Sequence, residues 1–477
     1  MHRARAPRVS FATLGCKVNQ YETRQLAESL LERGYRIVPF GQPADLCVVN
    51  TCTVTHDADA KSRQAIRRAR RSGDDPLVVV TGCYADVAPE AVRAIGGIAA
   101  IVPNREKPHL PDLVDDLLDR SGRLLFPLAE EEPASPADAG LIPLLPTIDG
   151  TLARTRAVIK IQDGCNHFCS FCIIPFARGR LRSRPAAEVL AEARELAAQG
   201  YRELVLTGIC LGDYGDERGF ARTGRDPLAQ LVESLAQVPG IARIRMSSLD
   251  PADISDDLLD TMRAVPAACR HLHLSIQSAD PEVLRRMRRR YSAEDLRRLV
   301  DRIYERMPEA GLTADVIAGF PGESVAQFEN TLRWCEEARL LKIHAFPYSP
   351  RTGTQAARWR DDVSPAEKQR RVRALLALSE RLGYEFAARY VGETVVALLE
   401  QRDRQTGLMT GLTGEYLRVC CEAEEALRGE LVRMRVTSAG SGWVTGERVG
   451  EGGSAGDVPD ASPRAASRGE KKRASSP

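Results

Sequence analysis

Apolar and polar positions along this chain fall into two recurring textures. Runs in which nearly every residue is apolar, VSFATLGC, DLCVVNTC and PLVVVTGC, read as buried strands that end at Cys16, Cys52 and Cys83. Between them, ETRQLAESLLERGY and DADAKSRQAIRRARRSG carry apolar residues at helical spacing. Alternation of buried strands with helices of this length predicts a parallel sheet with right-handed crossovers. Parallel strands bring their C-terminal ends to one edge, where open α/β sheets bind ligands. Three cysteines far apart in sequence are therefore expected to converge.

The pattern breaks at residues 125–154, rich in Pro, Ala and acidic residues, which read as a linker after a first domain of residues 1–124. It then resumes with strands TRAVIKIQ, ELVLTGI, RIRMSSL, HLHLSIQ, TADVIAGF and KIHAFPY, separated by amphipathic helices. Six βα repeats over residues 155–386 predict a partial TIM-like (β/α)6 barrel, with its chemistry at the C-terminal strand ends. After the long helix PAEKQRRVRALLALSERLGYEFAARYV, short strands with Gly turns predict a small all-β barrel over residues 387–449. Residues 450–477 are low-complexity and read as a disordered tail. The predicted class is α/β with a C-terminal β-barrel.

Composition changes this picture little, but it excludes alternatives. At 477 residues the chain exceeds one ordinary core. No apolar run is long enough to span a bilayer, and the N-terminus lacks the apolar stretch of a secretory signal. A cytoplasmic, reducing location follows as the expectation, and there twelve cysteines require an explanation other than disulfides. The net charge of +2 gives no argument for a nucleic-acid partner, so any such argument must rest on local patches.

The chemistry lies in two groups of three cysteines. Cys165, Cys169 and Cys172 stand in one loop after the first barrel strand, spaced by three and then two residues. Three thiolates hold three irons of a 4Fe–4S cube and leave the fourth iron open, free to chelate the amino and carboxylate groups of S-adenosylmethionine. This spacing, with Phe171 before the last cysteine, is the radical S-adenosylmethionine signature. The alternative is zinc on the same cysteines plus His167, a cramped arrangement because His167 lies inside the loop. Cys16, Cys52 and Cys83 form the second group, read either as a second cluster with an open iron or as three small buried residues. Asn19, Gln20, Asn50 and Thr51 beside them are candidate hydrogen-bond donors to the sulfurs. Burial explains Cys47, Cys335, Cys420 and Cys421; Cys210 is less clear, because it follows strand ELVLTGI near the expected cofactor.

Across residues 8–449 the chain resembles the methylthiotransferase family, in the order cluster domain, radical S-adenosylmethionine barrel and TRAM β-barrel. LGCKVNQYET, NTCTVT, GCNHFCSFCIIPFARGRLRSR and LTGICLGDYG resemble the branch that acts on threonylcarbamoyladenosine at position 37 of tRNA. The alternatives within the family are isopentenyladenosine in tRNA and an aspartate of a ribosomal protein; outside it, the alternative is a non-catalytic, zinc-stabilised RNA-binding protein. The resemblance implies two 4Fe–4S clusters, one on Cys16, Cys52 and Cys83 and one on Cys165, Cys169 and Cys172. It also implies S-adenosylmethionine as both radical source and methyl donor, and methylthio transfer to carbon 2 of the adenine. Thr207, Gly208, Ser275, Gln277 and Gly319 are the implied cofactor contacts, with ordinary turn geometry as the alternative for the glycines. Implied partners are the tRNA anticodon stem-loop and an electron donor such as a flavodoxin or ferredoxin, with the enzyme itself a monomer. RNA contact has three candidate surfaces: the helix around Arg67, Arg68, Arg70 and Arg71, the run Arg285–Arg290, and the β-barrel. Arg178, Arg180, Arg182 and Arg184 are candidates for cofactor carboxylate or RNA phosphate, or for a solvated face. One departure stands out: the branch carries histidine where this chain has Cys210.

Overall fold

The computed structural model describes residues 6–73, 75–121, 155–216 and 224–449, so the linker 125–154 and the tail 450–477 lie outside the described residues. The first unit contains β1 (Arg8–Thr13), α1 (Lys17–Glu32), β2 (Arg36–Val38), β3 (Leu46–Thr51), α2 (His56–Ala69) and β4 (Leu77–Gly82). It continues with α3 (Cys83–Val87), α4 (Pro89–Arg93), β5 (Ala100–Val102) and α5 (Leu110–Arg120). Its five strands form one parallel sheet in the order β2-β1-β3-β4-β5. Every residue of the central β3, LCVVNT, is buried, as a strand covered on both faces requires.

The second unit comprises β6 (Arg156–Lys160), β7 (Gln162–Asp163), α6 (Ile174–Arg178), β8 (Arg182–Ser183), α7 (Ala186–Ala198), β9 (Glu203–Thr207) and α8 (Pro227–Ala236). Next come β10 (Arg243–Met246), β11 (Ser248–Leu249), α9 (Asp256–Ala264), β12 (His271–Gln277), α10 (Pro281–Met287) and α11 (Ala293–Arg306). It closes with β13 (Gly311–Ala318), α12 (Val325–Glu337), β14 (Lys342–Pro347) and α13 (Pro365–Ala388). Two parallel sheets, β10-β9-β6 and β11-β12-β13-β14, make an open six-stranded arc, with the break between β10 and β11 falling at Ser247. Helices start where side chains satisfy their free N–H groups: Ser292 with Asp295 and Ser324 with Gln327 form reciprocal caps on α11 and α12.

The last unit is a closed barrel of β15 (Thr394–Arg402), β16 (Met409–Thr413), β17 (Arg418–Cys421), β18 (Leu431–Gly440) and β19 (Trp443–Arg448), in the order β15-β16-β17-β19-β18. It sits at the N-terminal mouth of the arc. Arg243 donates to the carbonyls of Leu412 (2.9 Å) and Val396 (2.7 Å). Arg245 donates to those of Gly414 (3.0 Å) and Thr413 (2.8 Å) and to Glu203 (2.7 Å). The turn between β16 and β17 enters the mouth, where Tyr416 stacks on His271 with ring centroids 4.3 Å apart. Only glycine fits opposite that turn, because a Cβ on Gly311 would lie 1.9 Å from the Glu415 carbonyl oxygen. Helix α13 serves both units, with Val372, Leu375 and Leu382 in the arc's core and Phe386 and Ala387 in the barrel's.

Candidate active site between two cysteine groups

The first cysteine group forms where three strands of one sheet end. β1 stops at Thr13, short of the predicted end, and the chain turns through Gly15 at φ +92°, so that Cys16 caps α1. A Cβ at Gly15 would stand 2.6 Å from the Cys52 sulfur, so the glycine makes room for the second thiol. Cys52 follows β3 directly, and Cys83 opens α3 directly after β4. Cys52 and Cys83 are buried and Cys16 is exposed. Burial pushes the Cys52 thiol up to about 12, and the neighbouring Cys16 and Cys83 add to that. Burial raises Cys83 as well, against the pull of the Arg178 guanidinium. Such thiols ionise only when a cation is supplied, which is what metal binding does.

Asn19, Asn50 and Thr51 turn out to brace backbone rather than sulfur. Asn19 donates to the carbonyls of Leu14 and Thr51, Asn50 to that of Asn19, and Thr51 to that of Thr81. The donors to Cys83 sulfur come from elsewhere: Arg178 Nε at 3.3 Å and Asn104 Nδ2 at 3.8 Å. Arg178 is 4 % exposed and also donates to Glu22 (2.8 Å) and Asn19 (2.5 Å). It is therefore neither a solvated arginine nor free for phosphate.

The second group, Cys165, Cys169 and Cys172, occupies the loop between β7 and α6 at the C-terminal end of the arc. Arg289 fastens it, donating to Cys169 sulfur (3.2 Å), to Asp250 (2.5 Å) and to the Ser275 carbonyl (2.8 Å). Phe171 packs edge-on against Phe320. Burial lifts Cys172 to about 12, with Cys169 and Cys165 contributing. Cys165 is instead lowered to about 5, first by a hydrogen bond with Cys210 and then, against burial, by His167. Burial alone would favour neutral His167, but its bonds to Asp213 (2.7 Å) and Cys165 carry it up to about 10.

Donor spacing tests which metal group fits. Tetrahedral zinc draws four ligand atoms to within about 4 Å of one another. Among the described residues, the groups whose ligand atoms all lie within 4.8 Å of one another are Cys165–His167–Cys210 and His167–Cys210–Asp213–Asp253, and neither cysteine triad is one of them. Two sets of three thiols, neither gathered that closely and each with one sulfur receiving an arginine N–H (Arg178 on Cys83, Arg289 on Cys169), suit 4Fe–4S cubes.

The implied cofactor contacts all stand at C-terminal strand ends. Thr207 ends β9 and Gly208 follows it; Ser275 and Gln277 end β12, and Gly319 follows β13. Gln277 has a left-handed backbone (φ +64°), rare for a side chain of its size and found where a site demands it. Between the two cysteine groups lies a cavity of ≈ 310 Å³. Its wall includes Cys172, Phe171 and Gln277 from the arc, and Val54 and Thr55 from just past Cys52. Arg351 and Tyr348, which no motif singled out, also line it.

The arginine-rich surfaces are less uniform than their sequence. Arg67, Arg68, Arg70 and Arg71 are exposed, although Arg68 lies over Phe40 and Arg70 reaches the Ile95 carbonyl. In the run from Arg285 to Arg290, Arg289 is committed to Asp250, and Arg290 binds Asp253 at 2.5 Å. Arg184 is held by Glu192 and Tyr21. No helix of the described residues is long and apolar enough to cross a membrane.

Comparison with known proteins agrees with this geometry. The Radical SAM superfamily profile matches residues 159–335, and the profile of the uncharacterized protein family UPF0004 matches residues 8–103. The threonylcarbamoyladenosine tRNA methylthiotransferase MtaB of Bacillus subtilis is 38% identical over 453 residues, 92% of this chain and 96% of that protein. Its namesake in Thermotoga maritima is 33% identical, over 86% of this chain and 90% of that protein. A tRNA-2-methylthio-N(6)-dimethylallyladenosine synthase of Acetivibrio thermocellus is 32% identical, over 92% and 90%. Among solved structures, the radical S-adenosylmethionine methyltransferase TsrM of Kitasatospora setae shares the fold, with TM-score 0.51 at 18% identity over 74% of this chain and 77% of that one.

Proposed function

The chain belongs to the methylthiotransferase family of radical S-adenosylmethionine enzymes, and from that premise we propose that it adds a methylthio group to carbon 2 of N6-threonylcarbamoyladenosine at position 37 of tRNA. One observation carries the reading: a single cavity has a cysteine of one triad in its wall and the residues just past a cysteine of the other. Cys165, Cys169 and Cys172 hold one 4Fe–4S cluster, and Cys16, Cys52 and Cys83 hold the second. When bound, the clusters and S-adenosylmethionine supply radical chemistry for an aromatic C–H that has no acidic proton, together with the methylthio group that replaces its hydrogen.

The chain's own residues bind, orient and exclude water. Arg289 fixes Cys169 against Ser275 and Asp250, which sets the direction of the cluster loop toward the strand ends. Thr207, Gly208, Ser275, Gln277 and Gly319 grip S-adenosylmethionine along those ends. Phe171, Ile173, Ile317 and Phe346 give the cavity an apolar wall that accepts a flat base and keeps water from it. Exposed Phe168, Phe176 and Phe346 offer stacking surface to unpaired bases of the anticodon stem-loop. The electron comes from a donor such as a flavodoxin or ferredoxin.

The test is a paired assay on the reconstituted enzyme with an electron donor. Methylthio product is expected on tRNA bearing the threonylcarbamoyl group. Product only on isopentenyl tRNA, or only on ribosomal subunits, would overturn the substrate and leave the chemistry standing.

A further inference from the structure

The cavity contains buried polar groups that the protein leaves unmatched. Arg351, in the segment after β14, is 7 % exposed. Its Nη2 donates to Thr53 Oγ1 at 2.8 Å and to Asp59 Oδ2 at 2.5 Å, which pins the guanidinium against the cysteine domain. Nη1 and Nε are buried without a hydrogen-bond partner, and so is the hydroxyl of Tyr348, itself 5 % exposed. Both side chains line the cavity. A buried guanidinium N–H left unmade carries its full desolvation penalty, and native interiors tolerate few such groups. Asp59 sets the orientation but does not use the remaining donors. The carboxylate that does line the cavity, Asp315, is 3.1 Å from His273.

Donors of this kind, on a wall whose larger part is apolar, call for a ligand with an anionic oxygen group attached to a flat apolar body. We propose that Arg351, assisted by the Tyr348 hydroxyl, binds the carboxylate of the threonyl substituent and so selects this modified adenosine over one with an apolar N6 substituent. The inference rests on the proposed reaction and adds its specificity determinant. An apolar substituent would leave the same donors unpaired, the arrangement by which a polar site rejects an analogue lacking the polar group.

The test uses the full-length reconstituted enzyme and two anticodon stem-loop RNAs, one with the threonylcarbamoyl group and one with its carboxylate converted to a carboxamide. Wild type should show a KM for the carboxamide raised roughly 10- to 100-fold, the range for losing a hydrogen bond to a charged group, with kcat little changed. Arg351→Lys keeps a cation for Asp59 while removing the free guanidinium donors. It should raise KM for the carboxylate RNA toward the carboxamide value and raise the carboxamide KM by a clearly smaller factor. Tyr348→Phe should act in the same direction with a smaller shift. Equal KM values for both RNAs in wild type would overturn the proposal. An Arg351→Lys defect equal on both RNAs would also overturn it, since it would make the residue only a strut between domains. No product from wild type on either RNA would overturn the reaction and this inference with it.

Discussion

Arg178 belongs to two sites at once. It lies in the segment just after Cys172, yet its Nε donates to the sulfur of Cys83. A charged N–H donor on a thiolate ligand stabilises a reduced cluster, so with the two proposed clusters bound, the loop of one would tune the other. The assignment of six ligands predicts about eight irons per chain after anaerobic reconstitution, and about four when Cys165, Cys169 and Cys172 are all alanine. Cys210→Ser should keep the full count, because Cys210 borders Cys165 and His167 without belonging to either triad. A count near four in Cys210→Ser, measured by iron assay with the chromophore, would make Cys210 a ligand. The role of the thiol at that position is not explained by its contacts with His167 and Asp253.

Helix α1 is the plate on which the cysteine domain meets the arc. Tyr21 and Arg24 bind Glu192, while Glu22 receives Lys107, Lys160 and Arg178 at 2.5, 3.0 and 2.8 Å. Burial would raise the Glu22 carboxyl, but those three cations hold it well below the usual range. A depressed carboxylate contributes stability that is present above its unfolded value, about 4.3, and lost as pH falls toward the folded value. Denaturant melts of wild type should therefore lose stability below about pH 4.3, and Glu22→Gln should flatten that slope. The same variant strands buried Lys107 and Arg178, at a cost of about 3–5 kcal/mol near neutral pH. An unchanged slope would mean that Glu22 does not set it.

Such networks explain what the sequence discloses and what it hides. The strands that lead to Cys52 and Cys83, and the six strands of the arc, announce themselves through runs of buried residues that local pattern can reveal. β2 and β5 span three residues each and carry no periodic signal, so the sheet has five strands where the pattern shows three. Arg351 meets its partners Thr53 and Asp59 from almost 300 positions away. Only the folded chain brings them together.

At the scale of the molecule, the C-terminal barrel caps the arc. From sequence it reads as a detachable RNA-binding module whose removal at Phe386 would spare the clusters, or as a lid over a sheet edge. The structure favours a lid that reaches inside. Glu203, Arg243 and Arg245 are buried at the mouth, and the two arginines end on carbonyls of the cap. A chain ending at Phe386 should therefore lose thermal stability and yield of cluster-loaded protein along with tRNA affinity, because it leaves buried charge without partners. Within the full chain, Tyr416→Ala should cost about 3 kcal/mol by emptying the stack on His271. A truncated chain that melts where the full chain does would restore the detachable module. The Gly311–Glu415 contact carries this into descent. Relatives that exchanged only the part corresponding to residues 387–477 would inherit a turn unmatched to its socket, so the two ends of this fit should change together or not at all, and chimeras should work only when turn and mouth come from one parent.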